Sequence, residues 1–257
     1  MGNAVLFASD LDNTLLRSRK RSAPGDRCVE WIHEKEQGYM TPETLRLLPA
    51  VRARTCFVPV TTRSTEQYLR IRFPAGSAPE YAAVTNGAVL LRRGEPDPAW
   101  AEALRGVIDP YRRELAEMER SLDGRKEFIR CRTVDDAYLF VYCAEGIDVR
   151  ETEVRLREQT ALRVQASGKK IYLLPPALCK AGALRMLRER FRPRRTVGAG
   201  DSAMDADMLS EADLALCPAE LRPLVSAPET AYWGGEGSFA EFVLNRVLDE
   251  AEAFRGP

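Results

Sequence analysis

Chemistry is first legible between positions 4 and 16, where the apolar run Ala4-Val-Leu-Phe-Ala8 gives way, after Ser9, to Asp10-Leu-Asp12-Asn-Thr14. An apolar run of that length predicts one buried strand of a parallel sheet, which places both carboxylates where the strand ends. In open α/β sheets, ligands bind in the crevice outside the carboxyl ends of the strands. Two residues apart in extended chain, the two side chains lean the same way. One acid can then attack while the other moves a proton, provided their surroundings push their pKa values apart. Asp, Asn and Thr are also ordinary turn and capping residues, so partners at other strand ends must decide between the readings.

The chain supplies such partners. Residues 55–60 predict a second buried strand ending at Thr61-Thr62-Arg63-Ser64, where a hydroxyl and a free backbone amide ahead of a helix make an anion seat; capping of that helix is the plainer alternative. A third strand, 81–84, stops at Thr85-Asn86-Gly87, a turn at the same edge of the sheet. Lys180 lies in a helix over about 179–191, and a strand at 195–199 ends in Gly200-Asp201-Ser-Ala-Met-Asp205. Asp10, Asp12, Thr61, Lys180, Asp201 and Asp205 thus fall on one side of one sheet. Converging carboxylates repel unless a divalent cation neutralises them, and oxygen-only ligands favour Mg²⁺. A lysine and a threonine hydroxyl supply what phosphoryl oxygens need.

The elements that must hold these residues follow from the pattern. A hairpin is predicted over 28–40 with Gly38 at its turn end, and Thr41-Pro42-Glu43 starts a helix running to about Arg52. From Leu90 onward the grammar changes. A helix over 98–122, broken at Pro110, precedes strands 126–133 and 137–143; a helix over 148–159 precedes strands 162–166 and 170–174, joined at Ser167-Gly168-Lys169. That is an αββ unit written twice. Strand and helix alternation then resumes to a closing helix over 238–254. The expected fold is α/β: a parallel-sheet core from 1–88 and 176–257 around an inserted α+β (αββαββ) domain at 89–175.

Composition narrows the function. At 257 residues with 45% hydrophobic content the chain is long enough for two domains, and 38 basic residues balance 38 acidic ones. Neither nucleic acid nor a membrane is an expected partner, no apolar run approaches a membrane span, and the partner expected is a small molecule. No leader pattern precedes the first strand, so a cytoplasmic location is expected. Cys28, Cys56, Cys131, Cys143, Cys179 and Cys217 are scattered without a Cys-x-x-Cys pair, and read as buried free thiols. The lone His33 argues against Ser-His-Asp and Cys-His catalysis. The basic run at 17–21 reads as a solvated loop. Oligomeric state leaves no mark in the sequence.

The set Asp10-Leu-Asp-Asn-Thr14, Thr61, Lys180 and Gly200-Asp-Ser-Ala-Met-Asp205 resembles, in order, the four motifs of the haloacid dehalogenase (HAD) superfamily of aspartate-nucleophile phosphatases. The insertion is similar to the large cap of its sugar-phosphatase branch, the branch of sucrose-phosphate phosphatase and mannosyl-3-phosphoglycerate phosphatase. Ser167-Gly-Lys-Lys-Ile-Tyr-Leu-Leu-Pro175 followed by Lys180 is similar to the hairpin of that branch leading into its motif lysine. The resemblance implies a HAD-like Rossmannoid core with a cap, and a Mg²⁺-dependent phosphomonoester hydrolase acting on a small phosphorylated metabolite, a sugar phosphate. It implies Asp10 as nucleophile and Asp12 as general acid and base, with phosphate held by Thr61, Thr62 and Lys180. Mg²⁺ is implied on Asp10, the Asp12 carbonyl, Asp201 and Asp205, the last direct, through water, or by positioning Lys180. Thr62 and Met204 depart from the Gly and Asn common there, and Asn13 replaces a Gly. A phosphomutase of phosphomannomutase type is the alternative, and a non-catalytic binding protein a further one. For substrate recognition the candidates are Arg63, Asn86, Ser167 and Lys169.

Overall fold

The computed structural model describes residues 4–254. In chain order the elements are β1 (Val5–Ser9), β2 (Arg17–Ser18), β3 (Arg27–Ile32), β4 (Lys35–Met40), α1 (Pro42–Arg54), β5 (Cys56–Pro59), α2 (Thr65–Leu69), β6 (Tyr81–Val84), β7 (Val89–Arg92) and β8 (Glu95–Pro96). There follow α3 (Pro98–Ile108), α4 (Arg112–Leu122), β9 (Phe128–Val134), β10 (Tyr138–Cys143), α5 (Val149–Arg157), β11 (Arg163–Ser167) and β12 (Lys170–Leu174). The chain closes with α6 (Lys180–Phe191), β13 (Arg195–Ala199), α7 (Ala206–Glu211), β14 (Leu214–Pro218), β15 (Glu229–Trp233) and α8 (Phe239–Ala253).

Two compact units result, 1–96 with 180–257, and 97–179. The first holds a five-stranded sheet in the order β15-β14-β13-β1-β5, every pair parallel. Its strands β1, β5, β13 and β14 are buried along most of their length, which is why they read as largely apolar runs, whereas the edge strand β15 is partly exposed. Val5, Phe7, Leu214 and Leu216 face α1 and α8, while Ala215 and Cys217 face α7 on the other side. The strand at 81–84 is an exception to the expected sheet. It pairs antiparallel with β7 and meets the end of β5 through the single bridge Val60↔Ala83. With β7 and β8 in this β6-β7-β8 sheet, the first unit runs to 96 before the chain enters the second.

The hairpin β3–β4 turns at His33 and Glu34, both at positive φ, rather than at Gly38. Gly38 lies inside β4 for a packing reason given below. Thr41 caps α1 by accepting from the Thr44 amide, with Pro42 at the first helical position.

The second unit pairs β11-β12-β10-β9 antiparallel, and its apolar face packs under α4 and α5 through Leu115, Leu122, Leu139, Val141, Leu156 and Leu173. The three-residue loop 135–137 between β9 and β10 has Asp135 and Asp136 at positive φ, and the Ala137 amide donates to the Val134 carbonyl at 2.9 Å.

Candidate active site

The first unit brings Asp10, Asp201 and Asp205 together with Lys180, and Asp12 together with Arg63. The Asp10 amide donates to the Ala199 carbonyl at 2.8 Å, which ties the end of β1 to the end of β13. Immediately beyond, the Leu11 carbonyl accepts from the amides of Thr14, Leu15 and Leu16, and Asn13 adopts φ 61°. Asn takes the position left-handed turns otherwise give to Gly. The resulting tight loop fixes Asp10 inward and Asp12 outward: the Asp10 side chain is 9% exposed and that of Asp12 48%.

Lys180, at the start of α6, is 2% exposed and bridges two acids. Its Nζ donates to Asp10 Oδ1 at 2.5 Å and to Asp205 Oδ1 at 2.6 Å. The second Asp205 oxygen accepts from the amides of Asp201 and Ser202 and from the Ser202 hydroxyl, at 3.2, 3.0 and 2.9 Å. Asp205 therefore fixes both the lysine and the turn that carries Asp201. Gly200 makes this possible, since a Cβ there would stand 2.4 Å from Asp205 Cβ.

Carboxylate oxygens of Asp10, Asp201 and Asp205 lie within 4.8 Å of one another. Burial pushes the Asp10 carboxyl up to about 8 against the pull of Lys180, with Asp205, Asp12 and Asp201 adding to the push. Burial also lifts Asp201 to about 6, with Asp205 contributing. Burial alone would lower Lys180, but Asp10 and Asp205 hold its ammonium above the ordinary value. Three acids against one lysine leave a net negative pocket of oxygen donors, which suits a hard divalent cation such as Mg²⁺.

Arg63 meets Asp12 side on. Nε donates to Oδ2 at 2.9 Å and Nη2 to Oδ1 at 2.8 Å, a bidentate fork. The same guanidinium bonds Glu30 and the Gln67 carbonyl. Burial would lower Arg63, yet Asp12 and Glu30 hold it above its usual value.

Thr61 is fully buried and differs from expectation in one respect. Its amide is not free: it donates to the Ala83 carbonyl at 2.9 Å, through the same strand contact that attaches β6. Its hydroxyl accepts from the Arg63 amide at 3.2 Å. Ser64 caps α2 in a full capping box with Gln67, so the plainer reading of Ser64 is the observed one. Thr62 is half-buried in the same loop. Asn86, 2% exposed at φ 57°, donates its amide to the Thr61 carbonyl and so braces this loop. Ser167 and Lys169 lie in the second unit, where Gly168 and Lys169 form the turn between β11 and β12. The loop at 18–21 is exposed, and Arg17 pairs with Asp26 at 3.2 Å.

Sequence reasoning missed Glu30, which is 3% exposed, and Arg70, whose Nη2 lies 3.5 Å from it. A glycine in mid-strand at 38 was the available signal, since glycine there marks a close approach.

No protein-family model matches the chain, and no curated protein matches it. Solved structures do. The sucrose-phosphatase from Synechocystis sp. PCC6803, in complex with sucrose and phosphate, is 14% identical over 98% of this chain and 99% of its own, at TM-score 0.62. A haloacid dehalogenase-like hydrolase from B. subtilis is 16% identical over 95% and 98%, at 0.60. A trehalose-6-phosphate phosphatase related protein is 16% identical over 97% of both chains, at 0.54. No helix among the described residues is long and apolar enough to cross a membrane.

Proposed function

We propose that this chain, which has the fold of the haloacid dehalogenase superfamily phosphatases, is a Mg²⁺-dependent phosphomonoester hydrolase working through an aspartyl-phosphate. One observation carries the reading: two acids two residues apart have opposite environments. Asp10 is buried against Lys180, and Asp12 is half-exposed in the fork of Arg63. The two carboxyls are thus divided by place, Asp10 beside the buried lysine where phosphorus would be attacked and Asp12 toward the surface where a leaving oxygen would be reached.

In the first step an Asp10 carboxylate oxygen attacks phosphorus as the bond from phosphorus to the ester oxygen breaks, and Asp12 gives its proton to that leaving oxygen. In the second, Asp12 takes a proton from water as the water oxygen attacks phosphorus, which frees the Asp10 carboxylate and inorganic phosphate. Lys180 faces the transferring oxygens and offsets repulsion between Asp10 and the incoming dianion. The Thr61 hydroxyl, with Thr62 beside it, lines the phosphate seat. The Asp10 and Asp201 carboxylates and the Asp12 carbonyl would hold Mg²⁺, while Asp205, its oxygens engaged by Lys180 and the turn at 201–202, acts by positioning. Held there, the cation would supply charge stabilisation to the developing phosphoryl transition state.

The substrate we assign is a small phosphorylated metabolite, a sugar phosphate, with a fold neighbour that holds sucrose and phosphate as support. Ser167 and Lys169 remain candidates for reading its sugar. The Arg63 fork is occupied by Asp12 and Glu30, and Asn86 braces the loop, so both serve the site by positioning. The test is phosphate release from a panel of sugar phosphates and from p-nitrophenyl phosphate, with and without Mg²⁺. Release should require Mg²⁺ and fall to background in Asp10→Asn. Retained turnover in that variant would remove the nucleophile assignment.

A further inference from the structure

The geometry points to Glu30, on the β3–β4 hairpin, as a positioning residue for proton transfer by Asp12, acting through Arg63. This rests on the phosphatase reading. Glu30 is a buried carboxylate with two arginines around it: Arg63 Nη1 at 2.9 Å and Nη2 at 3.0 Å, and Arg70 Nη2 at 3.5 Å. Arg63 turns its other edge, Nε and Nη2, on Asp12. A guanidinium is planar and rigid, so fixing one edge fixes the direction of the other. Glu30 thereby sets where the Asp12 carboxyl sits, although it lies one residue removed from the chemistry.

Local backbone features serve this contact. β3 departs from regular pairing on both sides of Glu30, which pairs with Gly38 and also bridges to Ile71. Such irregularities re-aim a side chain. Opposite, Gly38 leaves the space: a Cβ at 38 would lie 2.8 Å from Glu30 Oε2 and 3.1 Å from its Cβ. A buried ion network that only fastened the hairpin would need neither the bidentate contact with Asp12 nor its orientation.

Leaving-group dependence separates the two roles. Protonation of the leaving oxygen matters for a poor leaving group and little for a good one. Wild-type and Glu30→Gln chains are compared on p-nitrophenyl phosphate and on unsubstituted phenyl phosphate at saturating Mg²⁺. Glu30→Gln should lower kcat/KM on phenyl phosphate on the order of tenfold, as a small misplacement of a catalytic group does. Its kcat/KM on p-nitrophenyl phosphate should stay within about twofold, since kcat/KM ends at departure of the leaving group and excludes the shared hydrolysis of the intermediate. In an Asp12→Asn background the same substitution should add nothing, because the group it positions is gone. Gly38→Ala, which presses on the Glu30 carboxylate, should give the same substrate pattern and serves where Glu30→Gln does not fold. Equal losses on both substrates, no loss on either, or losses that multiply in the double variant would overturn the inference. Failure of the phosphatase reading looks different: wild-type chain would release no phosphate from either ester.

Discussion

Lys180 Nζ lies 2.6 Å from Asp205 Oδ1, and the other Asp205 oxygen receives both amides of the 201–202 turn. One carboxylate thus couples the lysine at the head of α6 to the loop after β13. Removing the lysine leaves buried acids without their cation. Lys180→Ala should destabilise the Mg²⁺-free protein by about 3–5 kcal/mol, as breaking a buried pair does. It should also lower kcat by at least about 10². Denaturant unfolding and steady-state kinetics check both.

Gly200 is set by the same carboxylate. Gly200→Ala forces its methyl against Asp205 Cβ and Cγ, which stand 2.4 and 2.6 Å from the position a Cβ would take. Neither is the end of a flexible chain. Stability should fall by about 1–3 kcal/mol through overpacking, and Mg²⁺ affinity should fall with it because the turn carrying Asp201 moves. Thermal unfolding with Mg²⁺ titration measures both in one experiment.

Stability should respond to pH and metal together. A buried Asp10 raised to about 8 and an Asp201 raised to about 6 bind protons more tightly folded than unfolded. Their contribution is full below an ordinary carboxyl pKa of about 4, and is lost as pH rises through those values. Without Mg²⁺, these groups therefore lower Tm as pH rises across that window. A cation competes with protons for the same oxygens, so the rise in Tm on adding Mg²⁺ should be larger near pH 8 than near pH 5. Differential scanning fluorimetry at the two pH values reads this, and an equal rise at both would contradict it.

Asp12 should matter according to leaving group. Asp12→Asn should lower kcat/KM on an alkyl phosphate by about 10²–10⁴ and less on p-nitrophenyl phosphate, with Asp10 still phosphorylated and its hydrolysis slowed on both. Rapid-quench measurement of both substrates gives the comparison.

Much of this architecture was legible because parallel strands buried on both faces write themselves as apolar runs that end in chemistry: β1 before Asp10, β5 before Thr61, β13 before Asp201. The αββ repeats were legible for a related reason, as turn residues such as Asp135-Asp136 and Gly168 punctuate them. Interactions between distant segments were not. The Thr61 amide is taken by Ala83, the turn of the first hairpin falls at His33-Glu34, and β7 returns to β6. Each depends on which segments meet, and no local composition records that. Glu30 is the clearest case: alternation in a hairpin marks it as solvent-facing, and only the glycine opposite betrays that the carboxylate points inward.

The central claim is that phosphorus passes through Asp10. The direct measurement is a rapid acid quench during turnover of p-nitrophenyl phosphate, borohydride reduction of the trapped acyl phosphate, and peptide mass spectrometry. Asp10, and no other acid, should be recovered as homoserine, in wild-type and more abundantly in Asp12→Asn. Recovery of the reduced residue at another position, or unmodified Asp10 in a chain that turns over substrate, would contradict it.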